Sequence, residues 1–263
     1  MPRRWTIEEE NQKRRELIEL YINQNKTIGD IGKLLGIAEQ TVFERLKRFN
    51  IPTCPERKPH YLNRKTSELN FPDFSDDFAE FVGIILGDGH IGTGQIWIYF
   101  DSIMEKEYVD YVKKLLKSLF KVSPGIRQRT NQNTIELFIS SVDLINYLRS
   151  KGLFNSNKVK SQVDVPSWLF NKDSYLKSFL RGFFDTDGSI YLLKFGVQMS
   201  FSNCSIPLLR STRRILLKLG YYPSNVSNYK LYLTRKPDLY RYIKEIGMNN
   251  PHHLERAKKF GII

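Results

Sequence analysis

Two aspartates in this chain stand in the same uncommon setting. Asp88 closes the run Phe81-Val-Gly-Ile-Ile-Leu-Gly-Asp88-Gly89, and Asp187 closes Leu180-Arg-Gly-Phe-Phe-Asp185-Thr-Asp187-Gly188. Each run is apolar, carries glycine at its third position and ends in an aspartate followed by glycine. Gly83 matches Gly182, Asp88 matches Asp187 and Gly89 matches Gly188 at one constant offset, so the motif is a repeat. A lone Asp-Gly is an ordinary turn dipeptide. Its duplication behind matched apolar runs is what points to chemistry.

If both runs are helical, Gly83 and Gly182 remove side chains where two helices can touch, and Gly89 and Gly188 suit a helix end needing positive φ. Packed together, the helices bring Asp88 and Asp187 side by side. A carboxylate at a helix C-terminus lies at the negative end of the dipole and is unfavourable without a cation. Two of them form a hard-oxygen site suited to Mg2+.

This pair of motifs resembles the LAGLIDADG homing endonucleases. The first copy has Leu86 where the family name has its first aspartate, a position variable in the family. The second keeps both acids, and by register Asp187 is the metal-binding one and Asp185 structural. Two copies in one chain are similar to the monomeric, pseudo-symmetric branch.

The elements that must position these residues follow from periodicity. Asp76 to Leu86 and about Ser174 to Asp185 are the motif helices. After the first, Gln95 to Phe100 alternates, with Ile96, Ile98 and Phe100 on one side and Gln95, Trp97 and Tyr99 on the other. Glu105–Phe120 is an amphipathic helix, Ile126–Arg129 and Thr134–Ser140 a hairpin, and Val142–Lys151 a helix. The second half repeats this order, with strands Ser189–Leu193 and Val197–Phe201, a helix Pro207–Leu219, a hairpin Asn225–Thr234 and a helix Pro237–Ile246. The segment Asp143–Tyr147 echoes Asp238–Tyr242, and Gly152 echoes Gly247. The expected fold is α+β, two αββαββα repeats over residues 74–168 and 169–263, the topology that the resemblance also implies.

Before them, residues 8–25, Ile28–Leu35 and Ala38–Phe49 read as three helices. Leu17, Ile18, Tyr21 and Ile22 form the first stripe, Ile28, Ile31, Leu34 and Leu35 the second, and Gly36 the turn. That cadence resembles a helix-turn-helix DNA-binding domain at residues 1–50, with Glu39, Gln40, Glu44, Lys47 and Arg48 facing outward and Arg45 at the boundary. A basic, proline-containing linker covers 51–73.

The resemblance implies function residue by residue. Asp88 and Asp187 hold divalent metal, Mg2+ with Mn2+ as a substitute, and the Gly87 and Thr186 carbonyls face the same ions. Lys158, Lys160 and His253 are candidate helpers that orient water or bind phosphate. A sheet in each half lies in the DNA major groove: Arg127 and Arg129 suit guanine, Gln95, Gln128 and Gln198 suit adenine, and Trp97, Tyr99, Tyr191 and Tyr232 add contacts, with Gln40, Lys47 and Arg48 from the amino-terminal helices. A register slip of one residue would exchange Arg127 and Arg129 for Gln128. The implied activity is site-specific double-strand DNA hydrolysis by a Mg2+-dependent endonuclease serving intron homing. The alternatives are a catalytically silent DNA-binding regulator and an RNA maturase on the same fold, with intron RNA as partner.

Composition agrees. Lys and Arg number 41 against 28 Asp and Glu, a formal net charge of +13 spread along the 263 residues. Such a surplus suits a polyanion; the resemblance implies that this is double-stranded DNA with a long, partly asymmetric target, bound by a monomer. Cys54 and Cys204 lie far apart without Cys-x-x-Cys spacing, so neither a zinc site nor a disulfide framework is indicated, and a reducing compartment fits. No export signal or membrane-length apolar run is present, so a soluble intracellular protein of a prokaryote or an organelle is expected. An intein is disfavoured, since the chain neither begins with Cys or Ser nor ends in His-Asn.

Overall fold

A computed structural model describes residues 5–24, 26–51, 69–129, 132–153 and 162–263. The chain divides between residues 63 and 64 into two compact units.

In the first unit α1 (Ile7–Ile18) begins on a capping box: the Thr6 hydroxyl accepts from the Glu9 N–H at 3.2 Å and the Glu9 carboxylate accepts from the Thr6 N–H at 2.9 Å. It runs into a π-helical turn, Glu19–Asn23. Next comes α2 (Ile28–Leu35), then Gly36 at φ 65°, then α3 (Glu39–Arg48). Leu17, Tyr21, Ile31, Val42, Leu46, Phe49 and Ile51 make a separate small core. Two expected core residues are out of it, Ile22 at 42% and Leu34 at 59% exposure. The i to i+5 bonding of the π turn, seen in Gln24 N–H to Glu19 O, rotates Ile22 off the stripe, and the narrow inward face of α2 passes from Ile31 to Leu35 without Leu34.

The second unit opens with α4 (Asp76–Gly87), β1 (Gly89–Ile91), β2 (Gln95–Asp101), α5 (Lys106–Phe120), β3 (Gly125–Arg129), β4 (Thr134–Ser140) and α6 (Val142–Ser150). It continues through a 3-10 turn (Ser167–Asn171) into α7 (Asp173–Asp187), β5 (Gly188–Leu193), β6 (Gly196–Ser202), α8 (Ile206–Lys218), β7 (Lys230–Leu233), α9 (Lys236–Glu245) and α10 (Pro251–Lys259). The first sheet is antiparallel in the order β1-β2-β4-β3 and the second in the order β5-β6-β7. Ile96, Ile98, Phe100, Leu137 and Ile139 turn their side chains onto α5 and α6, as alternation requires. One core runs through both halves, with α4 and α7 at its centre.

The second sheet has three strands, not the expected four. Residues 224–227 meet β7 through the Ser224 N–H to Tyr232 O bond, the Tyr232 N–H to Ser224 hydroxyl bond and an isolated bridge in which Ser227 and Lys230 exchange N–H to O bonds, not through a continuous ladder. Pro223 cannot donate to a ladder, and Asn228 and Tyr229, both with φ near +50°, reverse the chain abruptly. Two elements were not anticipated, the 3-10 turn and α10. Among the described residues no helix is long and apolar enough to cross a membrane.

Candidate active site and nucleic-acid interface

The seam between α4 and α7 is the most extensive contact between any two elements of the unit. Its closeness comes from glycine. A Cβ on Gly83 would lie 2.3 Å from Phe179 O, and one on Gly182 would lie 2.2 Å from Glu80 O, so the backbones touch where the repeat places its third residue. Phe179 and Glu80 are themselves equivalent positions of the two runs, and the contact is therefore symmetric. Further along, a Cβ on Gly87 would meet Thr186 Oγ1 at 2.0 Å and stand 3.6 Å from Cγ of Asp187.

Gly89 and Gly188 do their work differently from expectation. Neither has positive φ, and Gly188 is extended at φ −87° and ψ 161°. Each opens a strand directly above the last helical turn, where a Cβ would strike Ile85 O at 2.5 Å or Phe184 O at 2.2 Å. Close approach, not handedness, demands glycine there. The left-handed turns belong to Gly152 and Gly247, which follow α6 and α9 at φ 89° and 73°.

Asp88 and Asp187 are half-buried at the ends of their helices, and the Asp187 carboxylate stands against Gly87 of the other helix. Asn203, just past β6, donates from Nδ2 to Asp187 Oδ2 at 2.5 Å, while its Oδ1 accepts from the Ser205 N–H at 2.8 Å. That amide fixes the carboxylate's rotamer. The Thr186 hydroxyl turns back to Gly182 O and Phe183 O, so only its main chain is available to a ligand. Asp185 is fully buried and accepts from the Asn249 and Asn250 N–H groups at 2.8 and 3.2 Å. Burial pushes its carboxyl well above the usual aspartate range, against the lowering effect of those two bonds.

Beside Asp185 runs a buried polar network joining the halves. Glu80 of α4, 1% exposed, accepts from Arg181 Nε of α7 at 2.9 Å, from the Tyr111 hydroxyl of α5 at 2.7 Å and from Asn249 Nδ2 at 2.7 Å. Asn250 Nδ2 donates to Glu105 Oε1 at 2.8 Å and to Asp185 O at 2.9 Å. His253 is no surface helper. It is buried against Phe184, and loss of water pushes its pKa down to about 4, so the imidazole is neutral.

Among the described residues no three His, Cys, Asp or Glu side chains cluster closely enough to hold an ion. A divalent cation would rest on two carboxylates plus main-chain, water and ligand oxygens, a set that fits Mg2+, which keeps waters and takes one or two carboxylates with substrate phosphate. Gly87 and Thr186 lie in last helical turns, where carbonyls run out of intrahelical donors. Lys158 and Lys160 lie outside the described residues.

The sheets present the expected side chains on common faces. In the first, the register pairs Tyr99 and Arg127 with Glu136, Trp97 with Phe138, Gln95 with Ser140 and Arg129 with Thr134, so Gln95, Trp97, Tyr99, Arg127 and Arg129 share the face turned from the core, and Gln128 lies on the other. Gln95 Nε2 donates to Ser140 Oγ at 2.5 Å, and Trp97 packs 5.6 Å from His90. In the second, Tyr191 pairs with Gln198 and Ser200 with Tyr232, which again puts Tyr191, Gln198 and Tyr232 on one face.

In the first unit Gln40, Lys47 and Arg48 are exposed on α3, together with Glu39 and Glu44. Gln40 bonds Glu44 at 3.2 Å and Arg48 pairs with Glu10 at 2.5 Å. Arg45 lies 4.9 Å over the Trp5 ring.

Periodicity missed Asn203, Asn249, Glu80 and Glu136. Asn203 and Asn249 follow the last regular residues of β6 and α9, where polar residues look like ordinary loop. Glu80 interrupts an apolar helix, where a charged residue at a core position was the available signal, whereas Glu136 falls on the open face of its strand and gave no such signal.

Residues 79–172 match the LAGLIDADG DNA endonuclease family and residues 174–247 the LAGLIDADG-like domain, together more than half of the chain. The chain is 26% identical over 207 residues to a DNA polymerase of Thermococcus litoralis and 24% identical over 197 residues to the replication factor C small subunit of Methanocaldococcus jannaschii. These matches cover 76% and 72% of this chain but only 11% and 10% of the relatives' own length. Among solved structures, I-DmoI in complex with DNA and Ca is similar at 17% identity and a TM-score of 0.47, over 70% of this chain and 96% of that one.

Proposed function

The chain belongs to the LAGLIDADG family, and on that premise we propose that it is a site-specific DNA endonuclease that makes double-strand breaks with divalent metal held by Asp88 and Asp187. The observation that carries this reading is the seam: glycine-to-backbone packing of α4 and α7 sets the Asp187 carboxylate beside Gly87, the neighbour of Asp88. Nothing in the packing of a core requires two crossing helices both to end on aspartate, since negative charge at a helix C-terminus is opposed by the dipole. A cation and a phosphate turn that arrangement into a stable one.

Mg2+, or Mn2+ in its place, would supply an activated water and neutralise charge on the phosphate and the leaving oxygen. The protein's part is positional. Asp88 and Asp187 each serve one strand across the minor groove, with the Gly87 and Thr186 carbonyls as further oxygen donors. Asn203 holds Asp187 in a single rotamer, so the ligand oxygen is in place before DNA binds. The two open sheet faces track the major groove, with Gln95, Trp97, Tyr99, Arg127 and Arg129 on one and Tyr191, Gln198 and Tyr232 on the other. The α2–Gly36–α3 module adds Gln40, Lys47 and Arg48 as a helix-turn-helix. The net charge of +13 supports the polyanionic partner.

The test uses a cleavage selection from a randomised or genomic-junction duplex library with Mg2+, followed by the variants Asp88→Asn and Asp187→Asn. Each should lower double-strand cleavage by more than about a thousandfold, a loss of roughly 4 kcal/mol of transition-state stabilisation, while the Kd for the selected duplex changes little. Undiminished cleavage by both variants would sink the reading. Tight, selective binding by the unaltered protein without any cleavage would assign it to DNA-binding regulators instead, and splicing assistance with intron RNA to maturases.

A further inference from the structure

The open face of the first sheet holds one acid that no base could reach. Glu136 on β4 is 1% exposed, although it lies on the face turned away from the core. On β3 beside it, Arg129 sets Nε 2.5 Å from Glu136 Oε1 and Arg127 sets a terminal nitrogen 3.8 Å from Oε2, ion pairs that leave both carboxylate oxygens without a hydrogen bond among the described residues. The two guanidiniums therefore cover the carboxylate, and their own side chains stay open, 62% exposed for Arg127 and 47% for Arg129. Arg127 also lies 5.8 Å over the Phe138 ring, the next residue on the same face of β4. The Phe138 ring in turn covers Gly125, where a Cβ would meet it at 2.4 Å.

We propose that Glu136 is a specificity-positioning residue, which locks Arg127 and Arg129 so that the first sheet reads two guanines separated by two base-pair steps. The inference rests on the DNA-binding reading above. A buried carboxylate is tolerated when it is paired, and one carboxylate between two guanidiniums leaves a net positive charge facing outward. A guanidinium has five donors. With Nε of Arg129 drawn against Glu136 by ion pairing, the end-on Nη1–Nη2 edge turns outward to a bidentate acceptor, and guanine O6 and N7 provide that pair in the major groove. Gln132 Oε1, 3.5 Å from Nη1, lies at the limit of a hydrogen bond and yields readily to a base. Side chains two apart on a strand are about 6.8 Å apart, which equals about two base steps at 3.4 Å each. Arg127 and Arg129 therefore address alternate base pairs.

Locking is what distinguishes base reading from phosphate tracking. A phosphate is met equally well by a mobile lysine or arginine, whereas discrimination between bases needs a guanidinium of fixed plane and low residual entropy. The second sheet lacks this device. Its corresponding face carries Ser189, Tyr191, Leu193, Gln198, Ser200, Ser202, Lys230 and Tyr232, with no arginine and no acid. Charged readout of guanine is thus concentrated in the half of the target under the first sheet.

The experiment is a binding selection from a randomised duplex library in Ca2+, run on the full chain as wild type, Arg127→Gln, Glu136→Gln and the neutral double variant Arg129→Gln/Glu136→Gln, with a melting curve for each. The wild type should select two guanines two positions apart in one half-site. Arg127→Gln should erase one of them, and the double variant should erase the other while weakening the first. Glu136→Gln should weaken both preferences by roughly tenfold, the discrimination of one loosened bidentate contact, while total affinity stays the same or rises because an acid near DNA is gone. Preferences elsewhere in the target should not move. Unchanged guanine preferences in a folded Glu136→Gln protein would overturn the inference, and so would a uniform loss across all sequences with a shallower salt dependence, the mark of phosphate contacts. A wild type that binds no duplex would instead overturn the endonuclease reading beneath it.

Discussion

Where α4 and α7 cross, the two copies of the motif are the same protein in backbone and different proteins in side chain. Gly83 meets Phe179 O, and its counterpart Gly182 meets Glu80 O, with nearly the same closeness. Around that symmetric contact, Glu80 faces Arg181 across the seam, while the positions equivalent to them are Phe179 and Val82. Leu86 is apolar where Asp185 ties Asn249 and Asn250, and Ile85 stands where Phe184 packs on His253. Backbone proximity sets where the aspartates emerge. The unequal side chains decide how firmly each helix is held, and the second is held by more polar contacts than the first.

The comparison can be broken at its symmetric part first. Gly83→Val and Gly182→Val should each cost more than about 4 kcal/mol of stability, since both drive carbon into a facing carbonyl that cannot withdraw. Urea denaturation that found either variant within about 1 kcal/mol of wild type would mean that the helices are free to separate.

The asymmetric part should matter somewhat less. Arg181→Met leaves Glu80 buried and partly unpaired and should cost about 3 kcal/mol, whereas Glu80→Gln/Arg181→Met, which keeps an acceptor for Tyr111 and removes the stranded charge, should recover about half of that. Equal losses in the two variants would show that packing of the arginine stem, not the ion pair, is what the seam uses.

A third measurement sharpens the difference at Phe184 and Ile85. His253 is held neutral with its pKa lowered from 6.5 to about 4. Its folded-state value lies below the unfolded one, so the stability it supports is fully present above about pH 6.5 and is lost as pH falls from there towards 4. At about 1.4 kcal/mol per unit the loss approaches roughly 3 kcal/mol. His253→Phe should flatten the stability profile in that window. A slope unchanged by the substitution assigns the acid sensitivity to another group.

Local pattern carried the framework of this molecule. The alternation of Ile96, Ile98 and Phe100 and the stripe from Tyr108 to Leu119 are backbone periodicities written directly in apolar residues, and the duplicated glycines carried the helix contact. What pattern could not carry were partners supplied from afar. Glu136 is buried by arginines on another strand, Asn203 gains its meaning from a carboxylate 16 positions earlier, and Asn249 closes a network with Glu80 and Tyr111 of the other half. The second sheet lacks its expected fourth strand because Pro223 and the double reversal at Asn228 and Tyr229 flank a stretch in which Val226 alone favours a strand. The faces of Ile22 and Leu34 failed on helix geometry, a π turn in one case and a narrow contact in the other.

The meeting of Gly87 with Thr186 has a consequence for assembly. These are equivalent positions that confront each other across the axis relating the halves, and the space between them admits one side chain. Two first halves would leave a gap there, and two second halves would set threonine against threonine. One glycine and one threonine fill this space where two glycines would leave it underpacked and two threonines would overfill it, so the two halves are not interchangeable at their centre.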